Sequence, residues 1–164
     1  MFNVLLAEDD LGWVEIMKEF LSHPPGSFNV THAWNLEQGL AALQGDDLFD
    51  VMLLDLHLPD GDGRELLECA QELEPRLPVI VISSLDDRDT VCELYALGAK
   101  DFIGKGVFHE PFALQAHITN VIEKSEAFRE AFEKSMCAAC GENQAPVECE
   151  PLPITVEAVN YAHA

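Results

Sequence analysis

The chain has 164 residues and a formal net charge of −21, with 30 acidic side chains against 9 basic ones. That imbalance argues against non-specific binding to nucleic acid or to anionic membranes and suits partners with neutral or basic surfaces, although solubility in a salty cytoplasm explains it equally well. Hydrophobic content of 48% fits a globular domain with a sizeable core; no apolar run reaches the roughly 18 residues of a membrane span, and the N-terminus lacks the features of a secretory signal, so a cytoplasmic setting is expected.

Phe2–Ala7 is an apolar run that reads as a first strand and ends in Glu8-Asp9-Asp10. A helix is expected over Leu11–Ser22, with Trp13, Ile16, Met17, Phe20 and Leu21 at helical spacing, and His23-Pro24-Pro25-Gly26 stops it. Phe28–Ala33 reads as a second strand. Asn35 caps the next helix, with Gln38 three residues on as in a capping box, and Leu36, Leu40 and Leu43 give that helix its apolar face.

The run Val51-Met52-Leu53-Leu54 then leads straight into Asp55. Absence of alternation suits a strand covered on both faces, and Pro59, Gly61 and Gly63 end it. The helix after Gly63 carries Leu66, Leu67, Ala70 and Leu73. Val79–Ile82 is a fourth strand ending in Ser83-Ser84, a helix from about Asp87 to Leu97 is closed by Gly98, and a short strand over Asp101–Ile103 leads to Lys105. Pro111 opens the last helix, whose face of Leu114, Ile118, Val121 and Ile122 continues into Phe128, Phe132 and Met136. That helix is expected to run to about Met136, with Glu130 and Lys134 paired along it. Its far apolar stripe wants a cover, either a homodimer through this helix or the tail folded back on it.

Five strands alternating with five helices predict an α/β fold with a doubly wound parallel sheet. Cys69 and Cys92 fall within helices and are expected as small buried hydrophobes. An odd total of five cysteines argues against a disulfide framework. Cys137 and Cys140 resemble half of a zinc knuckle, which Cys149 and His163 (or His109) would have to complete at no standard spacing; a flexible pair of thiols is the plainer reading. Beyond Glu142 helical periodicity is lost, and Ile154-Thr155-Val156 is a short strand candidate. With no helix-turn-helix and no basic patch, direct DNA binding is not expected.

In an open α/β sheet, sites lie beyond the carboxyl ends of the strands. Glu8, Asp9 and Asp55 would meet there, and like charges that close are costly unless a cation or a proton offsets them. A hard divalent ion such as Mg²⁺ is the natural partner. For Asp55 alone, a strand-end carboxylate bonding turn amides is an equally good reading.

Glu8-Asp9, the run Leu53-Leu54-Asp55-Leu56-His57-Leu58-Pro59, Ser83 after an apolar strand, and Lys105 after Gly98-Ala99-Lys100-Asp101-Phe102 together resemble the receiver domain of two-component response regulators. The resemblance covers about residues 1–124, leaving 125–164 as a helix extension and tail of unknown role. It implies a flavodoxin-like strand order of 2-1-3-4-5. It also implies phosphorylation of Asp55 by a histidine kinase or histidine phosphotransfer protein, and signalling through a downstream protein effector. Mg²⁺ would be held directly by Asp9 and Asp55, through water by Glu8, and by the backbone carbonyl of His57. Lys105 and Ser83 would bind the phosphoryl oxygens, and Phe102 would be the switch aromatic. The blander alternatives are a solvated lysine, a turn-bonding serine and a buried strand phenylalanine.

The chain departs from the family pattern in three places. Gly106 stands where proline usually follows the lysine, which leaves that loop freer. Leu85 replaces a polar residue that helps place the hydrolytic water, so a long-lived phosphoryl state is expected. Ser84 is small enough to give the phosphoryl group access. Two rival functions are open at this point. One is a phosphorylation-independent adaptor; the other is a Mg²⁺-dependent phosphatase, against which His57 counts because such enzymes place a second Asp there.

Overall fold

The structure is a computed structural model that describes residues 1–24, 28–84, 88–106 and 110–139. Leu85, Asp87, His109, Cys140, Cys149, Ile154-Thr155-Val156 and His163 lie outside the described residues, as do the side chains of Phe128, Phe132, Met136 and Cys137. In chain order the elements are β1 (Phe2–Ala7), α1 (Leu11–Ser22), β2 (Phe28–Ala33), α2 (Leu36–Leu43), β3 (Val51–Leu54), β4 (His57–Leu58) and β5 (Gly61–Asp62). They continue with α3 (Gly63–Leu73), β6 (Val79–Ser83), α4 (Arg88–Ala96), β7 (Asp101–Gly104) and α5 (Pro111–Ala139).

The main sheet is parallel throughout, in the order β2-β1-β3-β6-β7. Setting aside the small antiparallel hairpin of β4 and β5, this is the expected order. The uninterrupted apolar strands follow from burial on both faces. Met52 and Leu54 join Leu5, Ala7, Val79 and Val81 against Leu36, Leu66, Leu67 and Leu94 of α2, α3 and α4. Val51 and Leu53 join Val4, Leu6, Ile80 and Ile82 against Val14, Met17 and Leu21 of α1 and Leu114, Ile118 and Ile122 of α5.

Several helix faces differ from the sequence reading. In α1 the buried stripe is Val14, Met17 and Leu21, with Trp13 and Phe20 on its flank, so Ile16 lies one step further round and is exposed. Leu73, the last residue of α3, is exposed as well. Cys92 is exposed and Cys69 half-buried. Cys92 lies two residues from the buried Leu94, and two residues at 100° each put it on the opposite side of α4. The last helix runs three residues past the expected Met136, with Lys134 and Glu130 paired at 3.5 Å.

Capping fixes the loops that surround the carboxyl edge of the sheet. Asn35 caps α2 by accepting from the Gln38 amide at 2.9 Å, but Gln38 reaches back to the amide of Trp34 and not to that of Asn35. Asp60, from the β4–β5 turn, accepts from the first amides of α2, Leu36 at 2.7 Å and Glu37 at 3.0 Å. These bonds hold its carboxyl below the usual range. Gly98, at φ +105°, ends α4: its amide bonds the Tyr95 carbonyl while the Ala99 amide bonds that of Leu94, the paired closure that favours glycine.

Gly63 governs the exit of β3. Its amide donates to the Leu56 carbonyl at 2.8 Å, and a Cβ there would run into the Asp55 carbonyl oxygen and lie 2.7 Å from the Leu56 Cα. Both obstacles are backbone, so the strand end itself would have to move. Gly63→Ala is therefore expected to destabilise the fold by about 1–3 kcal/mol, the usual cost of overpacking. Urea denaturation measures this, and a loss below about 0.5 kcal/mol, within the ordinary range for surface changes, would contradict the tight packing.

Candidate metal and phosphoryl site

The parallel sheet brings the ends of β1, β3, β6 and β7 to one edge. The Asp55 amide donates to the Ala7 carbonyl at 2.9 Å, which locks the first residue beyond β3 to the last residue of β1. On the far side the Lys105 amide donates to the Ser83 carbonyl at 2.9 Å, so the end of β7 is tied to the end of β6. Ser83 is fully buried, and Phe102 is half-buried in β7 beside the core of α2, α3 and α4.

Carboxylate oxygens of Glu8, Asp9 and Asp55 lie within 4.8 Å of one another. Glu8 and Asp55 are buried, and Asp9 is exposed. Lys105 reaches across from β7 to both buried acids. Its Nζ is 2.9 and 2.8 Å from the two Glu8 carboxylate oxygens and 2.8 Å from Asp55 Oδ2. The same ammonium stands 5.6 Å from the centroid of the Trp13 ring. Burial works against the Lys105 charge, yet its bonds to Asp55 and Glu8 outweigh that and raise its pKa above the ordinary lysine value.

Asp55 Oδ1 is buried and has no hydrogen-bond partner among the described residues. Such an oxygen, next to two further carboxylates, is an acceptor suited to a cation. The donor set is all oxygen and carries more negative charge than Lys105 offsets, so it fits a hard divalent ion such as Mg²⁺. Among the described residues this is the group of His, Cys, Asp and Glu side chains near enough to share a metal. His57 is exposed in β4, paired across the hairpin with Asp62.

Three further residues shape the site, and the sequence reading did not assign them these roles. Asp10, next to Glu8 and Asp9, points away to cap α1, accepting from the Gly12 amide at 2.8 Å and the Trp13 amide at 3.4 Å. An Asp directly before a helix start is the signal that identifies it. His32 Nε2 donates to the Glu8 carbonyl at 2.8 Å from the neighbouring strand, a pairing that only the sheet register creates. Asp60 anchors the β4–β5 hairpin to α2, and the turn sequence Pro59-Asp60-Gly61 is a recognisable signal for that hairpin.

Burial, with the nearby Asp55 charge, raises the Glu8 carboxyl from 4.5 to about 7 against the opposing hydrogen bond from Lys105. Between these values the folded protein holds a proton that the unfolded chain has released, so stability falls as pH rises through this window. The cost is on the order of 3 kcal/mol once Glu8 is fully ionised. In chelator, wild-type protein should therefore lose stability from pH 5 to 8 relative to Glu8→Gln, as read from urea midpoints. Parallel curves for the two proteins would contradict this.

The family model for the response regulator receiver domain matches residues 4–119. The chain is 29% identical over 132 residues to the probable C4-dicarboxylate response regulator DctR of Bacillus subtilis, covering 80% of this chain and 55% of that protein. The chain spans about half the length of the curated relatives it matches. Among solved structures it is similar to a CheY-like response regulator receiver domain protein of Methanospirillum hungatei, with 27% identity and a TM-score of 0.69 over 77% of this chain and 98% of that one. It is also similar to the BeF3-activated receiver domain of DrrB from Thermotoga maritima, with 28% identity and a TM-score of 0.65 over 75% of this chain and 98% of that one. On the sheet order, the acidic cluster and these matches, the chain belongs to the response regulator receiver domain family.

Proposed function

We propose that Asp55 accepts a phosphoryl group from a histidine kinase or histidine phosphotransfer protein and that the protein signals by changing its contacts with a downstream protein effector. The observation that carries this reading is Asp55 itself. One of its oxygens is held by Lys105, and the other is buried beside Glu8 and Asp9 with no hydrogen-bond partner among the described residues.

A carboxylate oxygen of Asp55 attacks the phosphorus. The P–N bond to the donor imidazole breaks, and the imidazole leaves with its electron pair and takes up a proton. Lys105 offers its ammonium to the phosphoryl oxygens, and Ser83 offers a hydroxyl donor from the end of β6. Asp9, Asp55 and the His57 carbonyl would hold Mg²⁺ directly and Glu8 through water, and the ion would supply further charge neutralisation. The switch is a population shift in which Ser83 moves toward the phosphoryl group and Phe102 turns inward, changing the face formed by α4, β7 and α5. No turnover chemistry is assigned to the chain, we place it in the cytoplasm, and residues 125–164 are assigned to no part of the receiver.

Intact mass after incubation with acetyl phosphate, with and without Mg²⁺, tests the reading. We expect a gain of one phosphoryl group that needs Mg²⁺, is absent in Asp55→Ala, and forms about tenfold or more slowly in Lys105→Ala. A wild-type protein that gains no phosphoryl group from this donor or from a phosphorylated kinase would overturn it and favour the constitutive adaptor.

A further inference from the structure

We propose that Trp13 is a positioning residue for Lys105, a neutral anchor that keeps the ammonium at the site when its carboxylate partners are engaged elsewhere. The proposal rests on the phosphoacceptor reading above for its purpose, but not for its geometry. Lys105 lies between Gly104 and Gly106, and a Cβ built on Gly106 meets nothing within 4 Å. Among the described residues, nothing packs where a Gly106 side chain would begin. What fixes the Lys105 side chain is the ring of Trp13 and the two acids: Lys105 is only 9% exposed, with Nζ 5.6 Å from the Trp13 centroid.

The wall beside the lysine is an apolar groove formed by Trp13, Met17 and Phe20 of α1, with Ile82, Ile103 and Leu114. Apolar stems of lysine pack well on such surfaces while the charged head reaches a polar partner. Trp13 is held at the start of α1 by the Asp10 cap, on the loop that also carries Glu8 and Asp9. One segment thus sets both the acids and the indole face.

The partners differ in what happens on ligand binding. Glu8 and Asp55 are also the groups that a divalent cation and a phosphoryl group would claim, so both anionic contacts of Lys105 weaken at the moment the ammonium is needed. An indole face attracts the ammonium through its quadrupole and is not a ligand for a hard, hydrated cation. Trp13 is the one partner of this set that neither ligand competes for.

Two measurements test this on the full chain. In the first, NMR reads the ring-current shift of the Lys105 ε-protons with and without Mg²⁺. We expect an upfield shift in wild type and in Trp13→Phe that persists with Mg²⁺ and is lost in Trp13→Leu. In the second, phosphorylation by acetyl phosphate should slow about fivefold in Trp13→Leu and about twofold in Trp13→Phe, with no added effect of Trp13→Leu in a Lys105→Met background. Equal slowing in both backgrounds, or a shift that vanishes when Mg²⁺ binds, would overturn the proposal and leave Trp13 as core packing. If wild type accepts no phosphoryl group, the phosphoacceptor reading fails separately, and the NMR result still decides the role of Trp13.

Discussion

The arrangement depends on one buried ammonium. Glu8 and Asp55 end adjacent parallel strands, so the sheet itself forces their carboxylates together in a desolvated place. Lys105, from the far strand of the sheet, is the internal cation that makes this tolerable. Removing charges from water is expensive, and a buried ion pair seldom repays that cost by its mutual attraction alone. A cluster kept for stability would satisfy its oxygens fully. Here Asp55 Oδ1 has no hydrogen-bond partner among the described residues, and burial pushes Glu8 to about 7. Such an arrangement fits the binding of a further cation.

The fold serves that cluster through a few long-range ties. Parallel strands bring all five carboxyl ends to one edge, which is why residues as far apart as 8, 55 and 105 meet. The loops on that edge are then fixed by side chains borrowed from elsewhere. Asp10 closes the start of α1, Asp60 closes the start of α2, and Gly63 lets α3 begin against the backbone of Asp55. Gln115 works at the opposite end of α1, donating to the carbonyls of Phe20 and His23 at 2.7 Å and so binding α5 to it. The polar residues that cap α1 and α2 therefore hold the carboxyl edge of the sheet in register with both layers of helices.

Much of this was legible in the sequence. The strands could be read because a strand buried on both faces cannot alternate, and Val51–Leu54 and Val79–Ile82 do not. The acidic set could be read because each member follows directly on a strand. Helix faces were harder. Five apolar residues in α1 span more arc than the core accepts, and only packing against α5 decides that Val14 is inside and Ile16 outside. Contacts made across the sheet, such as His32 on the Glu8 carbonyl, carry no local pattern at all. Trp13 was visible as an apolar residue near the acids, but its place beside Lys105 depends on how α1 crosses the edge of the sheet.

If the acids at the ends of β1 and β3 form a cation site beside Lys105, Mg²⁺ uptake must depend on them. Isothermal titration calorimetry with Mg²⁺ on the full chain, beside Asp9→Asn, tests it most directly, since Asp9 is the exposed member of the set and its loss should disturb the fold least. We expect one Mg²⁺ ion per chain in wild type and at least about tenfold weaker binding in Asp9→Asn. Wild-type protein that takes up no Mg²⁺ at millimolar concentration, or that binds it equally well without the Asp9 carboxylate, would contradict it.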